Sequence, residues 1–297
     1  MDMEGDVEIV DNEINDAGSS DSSNISSQKL KIAILGDTTK AKTVKTIFEN
    51  KKTEIMVFDD ADSLISWGPH LTVIALETNL LSNDTIDDKE IITSIQKVCR
   101  QTNSGILIKS ICPPDTIERI QSSVEPEVFQ KRIAYFPDVH DSNDIEKNLN
   151  PELIIIGGYD SSKALLSLLQ NYGNLVMRSD KVHLCTPMEA SFTKLAISGY
   201  IALRQTFFNQ LFEAGDDYDN LNFNIVRKAF ESCSFLSNNS MTIPTWIRSL
   251  HTEDLSFKKA KSYGGEYLNR DVKIFSSISD RIPIIDECVN YKNLKED

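Results

Sequence analysis

Six short apolar runs, spaced through the first half of the chain and each closed by a turn residue, limit what this sequence can fold into. They are 31–35 (KIAIL, ending at Gly36), 54–58 (EIMVF, ending at Asp59 and Asp60), 71–76 (LTVIAL), 105–109 (GILIK), 132–136 and 151–156 (PELIII, followed by Gly157-Gly158). Runs this short, with no polar alternation, read as strands buried on both faces. Between them lie stretches with helical character: 39–50, 91–102, the segment opened by Cys112-Pro113-Pro114-Asp115, and the residues after Gly158 through Gln170. Strands that alternate with helices predict a parallel, doubly wound α/β sheet.

The strand signals fade after residues 172–186. The stretch 186–215 then predicts one long helix. Thr186 is the N-cap, Pro187 occupies the first helical position and Glu189 completes a capping box. Gly215 is expected to end the helix in a left-handed conformation. Met188, Phe192, Leu195, Gly199, Leu203, Phe207, Leu211 and Ala214 recur every three or four residues and draw a core-facing stripe. At 1.5 Å per residue the helix is about 40 Å long. Its several apolar sides need more than one neighbour, and a second copy of the same helix is one candidate. Three segments follow: an acidic tail at 1–28, an α/β domain at 29–180, and an all-helical domain at 181–297 built on the long helix.

Composition narrows the functional classes. The formal net charge is −14, and residues 1–29 alone carry eight acids against one lysine. Rich in Asp, Glu, Ser and Asn, the tail predicts a disordered segment. Neither tail nor body has a basic stripe, so nucleic acid is not an expected partner. No apolar run of about 18 residues predicts a membrane span, and the acidic N-terminus is no secretory signal. Five scattered cysteines, Cys99, Cys112, Cys185, Cys233 and Cys288, read as reduced thiols packed as small hydrophobes in a cytoplasmic protein. The four histidines are isolated and suggest no metal site. Trp246 reads as a packing residue.

A strand, a tight turn, a helix and an acid closing the second strand form the dinucleotide-binding layout of a Rossmann-like domain. Asp59 stands where a ribose hydroxyl would be bound. The turn is Gly36-Asp37-Thr38-Thr39-Lys40-Ala41. Only Gly36 remains of the glycines that let backbone N–H groups approach a pyrophosphate. Asp37 adds a repelling charge, which Lys40 partly offsets. The loop therefore predicts a Rossmann-like domain in which NAD binding is weakened or lost.

Four segments, in order, resemble the UDP-glucose/GDP-mannose dehydrogenase family. Lys109-Ser110-Ile111-Cys112-Pro113-Pro114-Asp115-Thr116 looks like its K-S-T-V-P-P-G-T turn. Glu125-Pro126-Glu127-Val128-Phe129 and Asn150-Pro151-Glu152-Leu153-Ile154-Ile155-Ile156-Gly157-Gly158 resemble its S-P-E-F-L and N-P-x-R-I-V-I-G-G segments. The long helix is similar to its central helix, including Ala202-Leu203-Arg204 and Phe208-Asn209-Gln210-Leu211. Tyr263-Gly264-Gly265 and Asp271-Val272-Lys273 look like its Y-G-G-S-C-F-P-K-D-V loop. The resemblance implies an NAD-dependent, two-step oxidation of a nucleotide-sugar alcohol to an acid through a cysteine thioester. It also implies dimerisation through the helical middle. Residues 282–294 look like the start of the helix that leads to the family's C-terminal domain, so that domain is expected to be absent.

The departures fall on the chemistry. Tyr267 stands where the resemblance places the nucleophilic cysteine, and a phenol with a pKa near 10 cannot replace that thiolate. Lys131 stands for the glutamate, Arg132 for the glycine after it, Ile111 for the threonine of K-S-T and Ser198 for the asparagine on the long helix. Lys194 and Asp271 remain. Lys194 either holds an anionic ligand, or snorkels or pairs with a carboxylate. Asp271 and Asp59 read as solvated or capping acids unless a ligand engages them. The favoured expectation is a catalytically inactive, dimeric binding or structural module. The alternatives are an active NAD-dependent nucleotide-sugar dehydrogenase and a scaffold whose acidic tail meets a basic partner.

Overall fold

The computed structural model describes residues 29–36, 39–139, 149–215, 217–232, 266–279 and 281–296. The acidic tail, Asp37, Thr38, Cys233, Trp246 and the Tyr263-Gly264-Gly265 segment lie outside the described residues.

The element order is β1 (Leu30–Leu35), α1 (Thr39–Phe48), β2 (Thr53–Phe58), α2 (Ala61–Trp67), β3 (Leu71–Ile74), α3 (Lys89–Gln101), β4 (Gly105–Ile108), α4 (Pro114–Ser123), α5 (Pro126–Arg132), β5 (Ile133–Tyr135), β6 (Ile154–Gly157), α6 (Asp160–Tyr172), β7 (Val182–Cys185), α7 (Pro187–Gly215), α8 (Phe223–Ser232), α9 (Glu266–Ser277) and α10 (Pro283–Glu296). The strands form one sheet in the order β2-β1-β3-β4-β5-β6-β7. All six predicted strands are present. The parallel expectation holds for β1 to β5, but β6 runs antiparallel to β5 through the single pair Tyr135–Gly157, and β7 is parallel to β6. The short VHLC of β7 lies beyond residue 180, so the sheet continues to Cys185.

The strands lack alternation because both faces are covered. Ala33 and Leu35 point into one core with Ile74, Ile95, Ile106 and Ile120, while Ile32 and Ile34 point into the other with Val44, Phe48, Val73 and Leu169. A third cluster joins α7, α9 and α10 through Leu195, Ala202, Val272, Phe275 and Ile285.

The capping box of α7 forms as expected. The Thr186 backbone N–H donates to Glu189 Oε2 at 2.7 Å, and the Glu189 N–H donates to Thr186 Oγ1 at 3.2 Å. Two expectations for α7 need correction. Gly215 is its last helical residue but has no positive φ; among the described glycines only Gly36 and Gly68 do. The buried face is Pro187, Ala190, Ser191, Leu195, Ser198, Gly199, Ala202, Gln205 and Thr206. It is rotated from the large-apolar stripe, so Phe192 and Phe207 are 47% and 48% exposed. Small side chains win this face because the neighbours come close. A Cβ on Gly157 of β6 would lie 2.6 Å from the Ala190 Cβ, and one on Gly199 would lie 2.6 Å from the Phe275 ring.

Candidate functional site

In an open α/β sheet the ligand crevice lies beyond the carboxyl ends of the strands, where the strand order reverses. Here β1, flanked by β2 and β3, marks that reversal. Gly36 ends β1 at φ +103°, and a Cβ there would stand 2.8 Å from the Ala75 carbonyl oxygen. The one glycine kept in this turn is thus required by its own backbone and by the end of β3. A crevice lies beyond the carboxyl ends of β4 and β5. Its walls include Lys40 and Thr43 of α1, Lys109 and Ile111 after β4, and Tyr135, Pro137 and Asp138 at the end of β5. It is closed by Lys194 of α7 and by Tyr267, Arg270 and Asp271 of α9.

The predicted remnants meet here. Lys194 Nζ lies 2.9 Å from Asp271 Oδ2, and the Ser198 hydroxyl donates to the same oxygen at 3.1 Å. Asp271 is only 2% exposed and lies inside a helix, which corrects its reading as a solvated or capping acid. Lys194 is thus ion-paired with the Asp271 carboxylate. Tyr267 carries the Arg270 guanidinium over its ring at 5.1 Å, a cation–π contact. Arg270 also reaches Glu77 Oε2 at 3.8 Å and Asp271 Oδ1 at 3.7 Å.

Other sequence candidates stand apart. Lys131 is exposed on α5 and pairs with Glu127 one turn away. Arg132 braces the β4 entrance by donating to the carbonyls of Cys99, Thr102 and Ser104. Asp59 is exposed at the end of β2, while its neighbour Asp60 caps α2 by accepting from the Ser63 N–H at 2.8 Å. The Glu125-Pro126-Glu127 segment opens α5, ahead of β5. The proline–acid pair that reaches the crevice is Pro137-Asp138, directly after β5.

Lys109, Asp138 and Arg270 carry no site signal in the sequence, where Lys40 reads only as a counter-charge. Lys109 is buried, ion-paired with Asp138 and seated 4.2 Å over the Phe136 ring. Lys40 Nζ is buried without a hydrogen-bond partner among the described residues. A lysine inside a strand-end or helical run gives no periodic signal of its own; only its place in the fold reveals it.

Burial disfavours the thiolate form of every described cysteine. Burial pushes the Cys112 thiol up to about 12 and Cys185 to about 11, and it raises Cys99 and Cys288 as well. The crevice volume is about 40 Å³. At roughly 10–15 Å³ per water that is room for about three waters, far below the roughly 300–1,000 Å³ of a small-molecule pocket. Lys40 and Arg270 line this small space, which at its volume does not take a nicotinamide ring.

A seven-stranded, largely parallel sheet carrying a helical C-terminal region defines a Rossmann-like α/β fold, and comparison with known proteins agrees. Among solved structures, the chain is similar to a UDP-glucose dehydrogenase from Pyrobaculum islandicum, with a TM-score of 0.65 at 15% identity over 92% of this chain and 70% of that one. It is similar to a UDP-D-ManNAc dehydrogenase from Pyrococcus horikoshii, with a TM-score of 0.56 at 16% identity over 91% and 64%. A conserved protein of unknown function, structurally similar to 3-hydroxyacid dehydrogenases, matches with a TM-score of 0.56 at 12% identity over 90% of this chain and 99% of its own. No protein-family model matches the chain, and no curated protein does. At these identities the likeness establishes the fold. Among the described residues, no helix is long and apolar enough to cross a membrane.

Proposed function

We propose that this chain is a nucleotide-sugar dehydrogenase-like protein without turnover, acting as a binding or structural module that pairs with a second copy through α7. The observation that carries this reading is the crevice itself. Tyr267 is stacked under Arg270 where the resemblance calls for a cysteine, and the described thiols are all raised in pKa by burial. Acyl transfer through a thioester needs a thiolate. The weakened or lost binding of NAD belongs to the same reading, since Lys40 lies buried in the crevice. The retained Lys194–Asp271 pair holds α7 to α9 instead of serving chemistry.

Absorbance at 340 nm, followed with NAD and a panel of UDP- and GDP-sugars, tests the reading. No NADH accumulates if it holds; sustained NADH production overturns it. A second reading, NAD-dependent oxidation of a sugar alcohol, is favoured by Asp59 at the end of β2 and by the Lys194–Asp271 pair. It requires Lys40 to leave the crevice, and a tight NAD titration by calorimetry would support it.

A further inference from the structure

Lys109 is answered by Asp138, Lys194 by Asp271, and Arg270 sits near Glu77 and Asp271. Lys40 is left over. Its buried Nζ has no hydrogen-bond partner among the described residues, and the same holds for Arg270 Nε. A buried cation without a partner is destabilising, because it has lost its water and gained nothing in exchange. The larger cavity between α3, α4 and α9, about 310 Å³, shows no such surplus: the Thr116 hydroxyl and the Arg119 guanidinium both donate to Asp88.

We propose that the crevice between α1, β5 and α9 is a binding site for a single carboxylate group, held by Lys40 Nζ and Arg270 Nε. Charge and size both select that ligand. Among the described residues the crevice has one cation more than nearby carboxylates can answer, and its roughly 40 Å³ holds about three non-hydrogen atoms at roughly one water volume each. A carboxylate has three such atoms; a phosphate has five and a second charge. Seated between Lys40 and Arg270, it replaces their mutual repulsion with two charge-assisted hydrogen bonds. The ionisation of Lys40 supports this. Burial and Arg270 push its ammonium down, while Glu77, Asp138 and Cys112 push it up. A bound carboxylate stabilises the protonated form, so affinity falls as pH rises. Such a ligand neither requires nor excludes a nucleotide, so this site and the reading above fail separately.

Thermal denaturation of the full chain in sodium acetate, compared with sodium chloride at equal ionic strength, tests the site. Acetate near ten times its Kd is expected to raise Tm by about 3 °C beyond chloride. Lys40→Met is expected to raise Tm in chloride, by removing the unanswered ammonium, and to abolish the acetate response. Lys40→Gln, a polar neutral replacement, serves if the Met variant folds poorly by circular dichroism. Sodium glucuronate distinguishes the sources: a response to glucuronate larger than to acetate assigns the carboxylate to a larger acid, and a response to acetate alone assigns it to a free small acid. No carboxylate response in the parent chain, or an equal response in Lys40→Met, overturns the proposal.

Discussion

Asp271 shows how one buried carboxylate can tie two helices together. Buried at 2% exposure, it takes Lys194 and Ser198 on one oxygen and so pins α9 to α7. Removing one member of a buried pair leaves the other charge uncompensated. Lys194→Ala is therefore expected to cost about 3–5 kcal/mol in urea unfolding. The double replacement Lys194→Met with Asp271→Leu removes both charges and should recover most of that loss. A double variant as unstable as Lys194→Ala would show that the pair's role is not electrostatic. At the surface, the bonds from Thr186 hold the Glu189 carboxyl below its ordinary pKa. Its contribution to stability is full above the ordinary glutamate value and is lost as pH falls through the lowered one. Thr186→Ala should cost about 1 kcal/mol at neutral pH, and the gap should narrow in acid, as urea midpoints measured across the acid range will show.

At the scale of elements, α7 separates what the sequence could tell from what it could not. Its start was legible, because a capping box and a proline act within one turn; its end falls at Gly215 as expected, but without the left-handed conformation expected there. Its buried face was not legible. Hydrophobic periodicity assumes that the largest apolar residues face the core, whereas this helix buries serine, glycine, alanine and threonine against close neighbours and leaves Phe192 and Phe207 outside. The strands were legible for the opposite reason, since a run covered on both faces needs no partner to declare itself. The antiparallel turn of β6 was hidden, because direction depends on the connection rather than on the strand. In the crevice, Lys194 and Asp271 were visible only through the family resemblance. Lys40, Lys109, Asp138 and Arg270 come together from four elements far apart in sequence. Gly199 gives the element-scale test. A methyl there would lie 2.6 and 2.8 Å from two atoms of the buried Phe275 ring and 3.2 Å from Ile285. Gly199→Ala should cost about 1–3 kcal/mol by overpacking, and adding Phe275→Leu should return part of it. An additive double variant would place the strain elsewhere.

For the molecule as a whole, the proposed pairing of two copies sets exposed aromatic surface against charge. The outer face of α7 leaves Phe192, Tyr200 and Phe207 at 47%, 40% and 48% exposure, seven or eight residues apart and so on one side of the helix. Burying apolar area favours association at roughly 25 cal/mol per Å². Each copy also carries a formal charge of −14, and like net charges repel until salt screens them within about 10 Å at 0.1 M. Apolar burial is nearly independent of salt and the repulsion is not, so association is expected to tighten as salt rises. An interface held by salt bridges would weaken instead. Light scattering on a gel-filtration column, run at low and at high salt, should show the dimer fraction growing with ionic strength. Phe207→Glu, which adds a charge at one end of the patch without touching the buried face, should leave monomer under both conditions while its circular dichroism stays unchanged. A chain that remains monomeric at every salt and concentration, or a Phe207→Glu variant that dimerises as well as its parent, would remove α7 as the pairing surface.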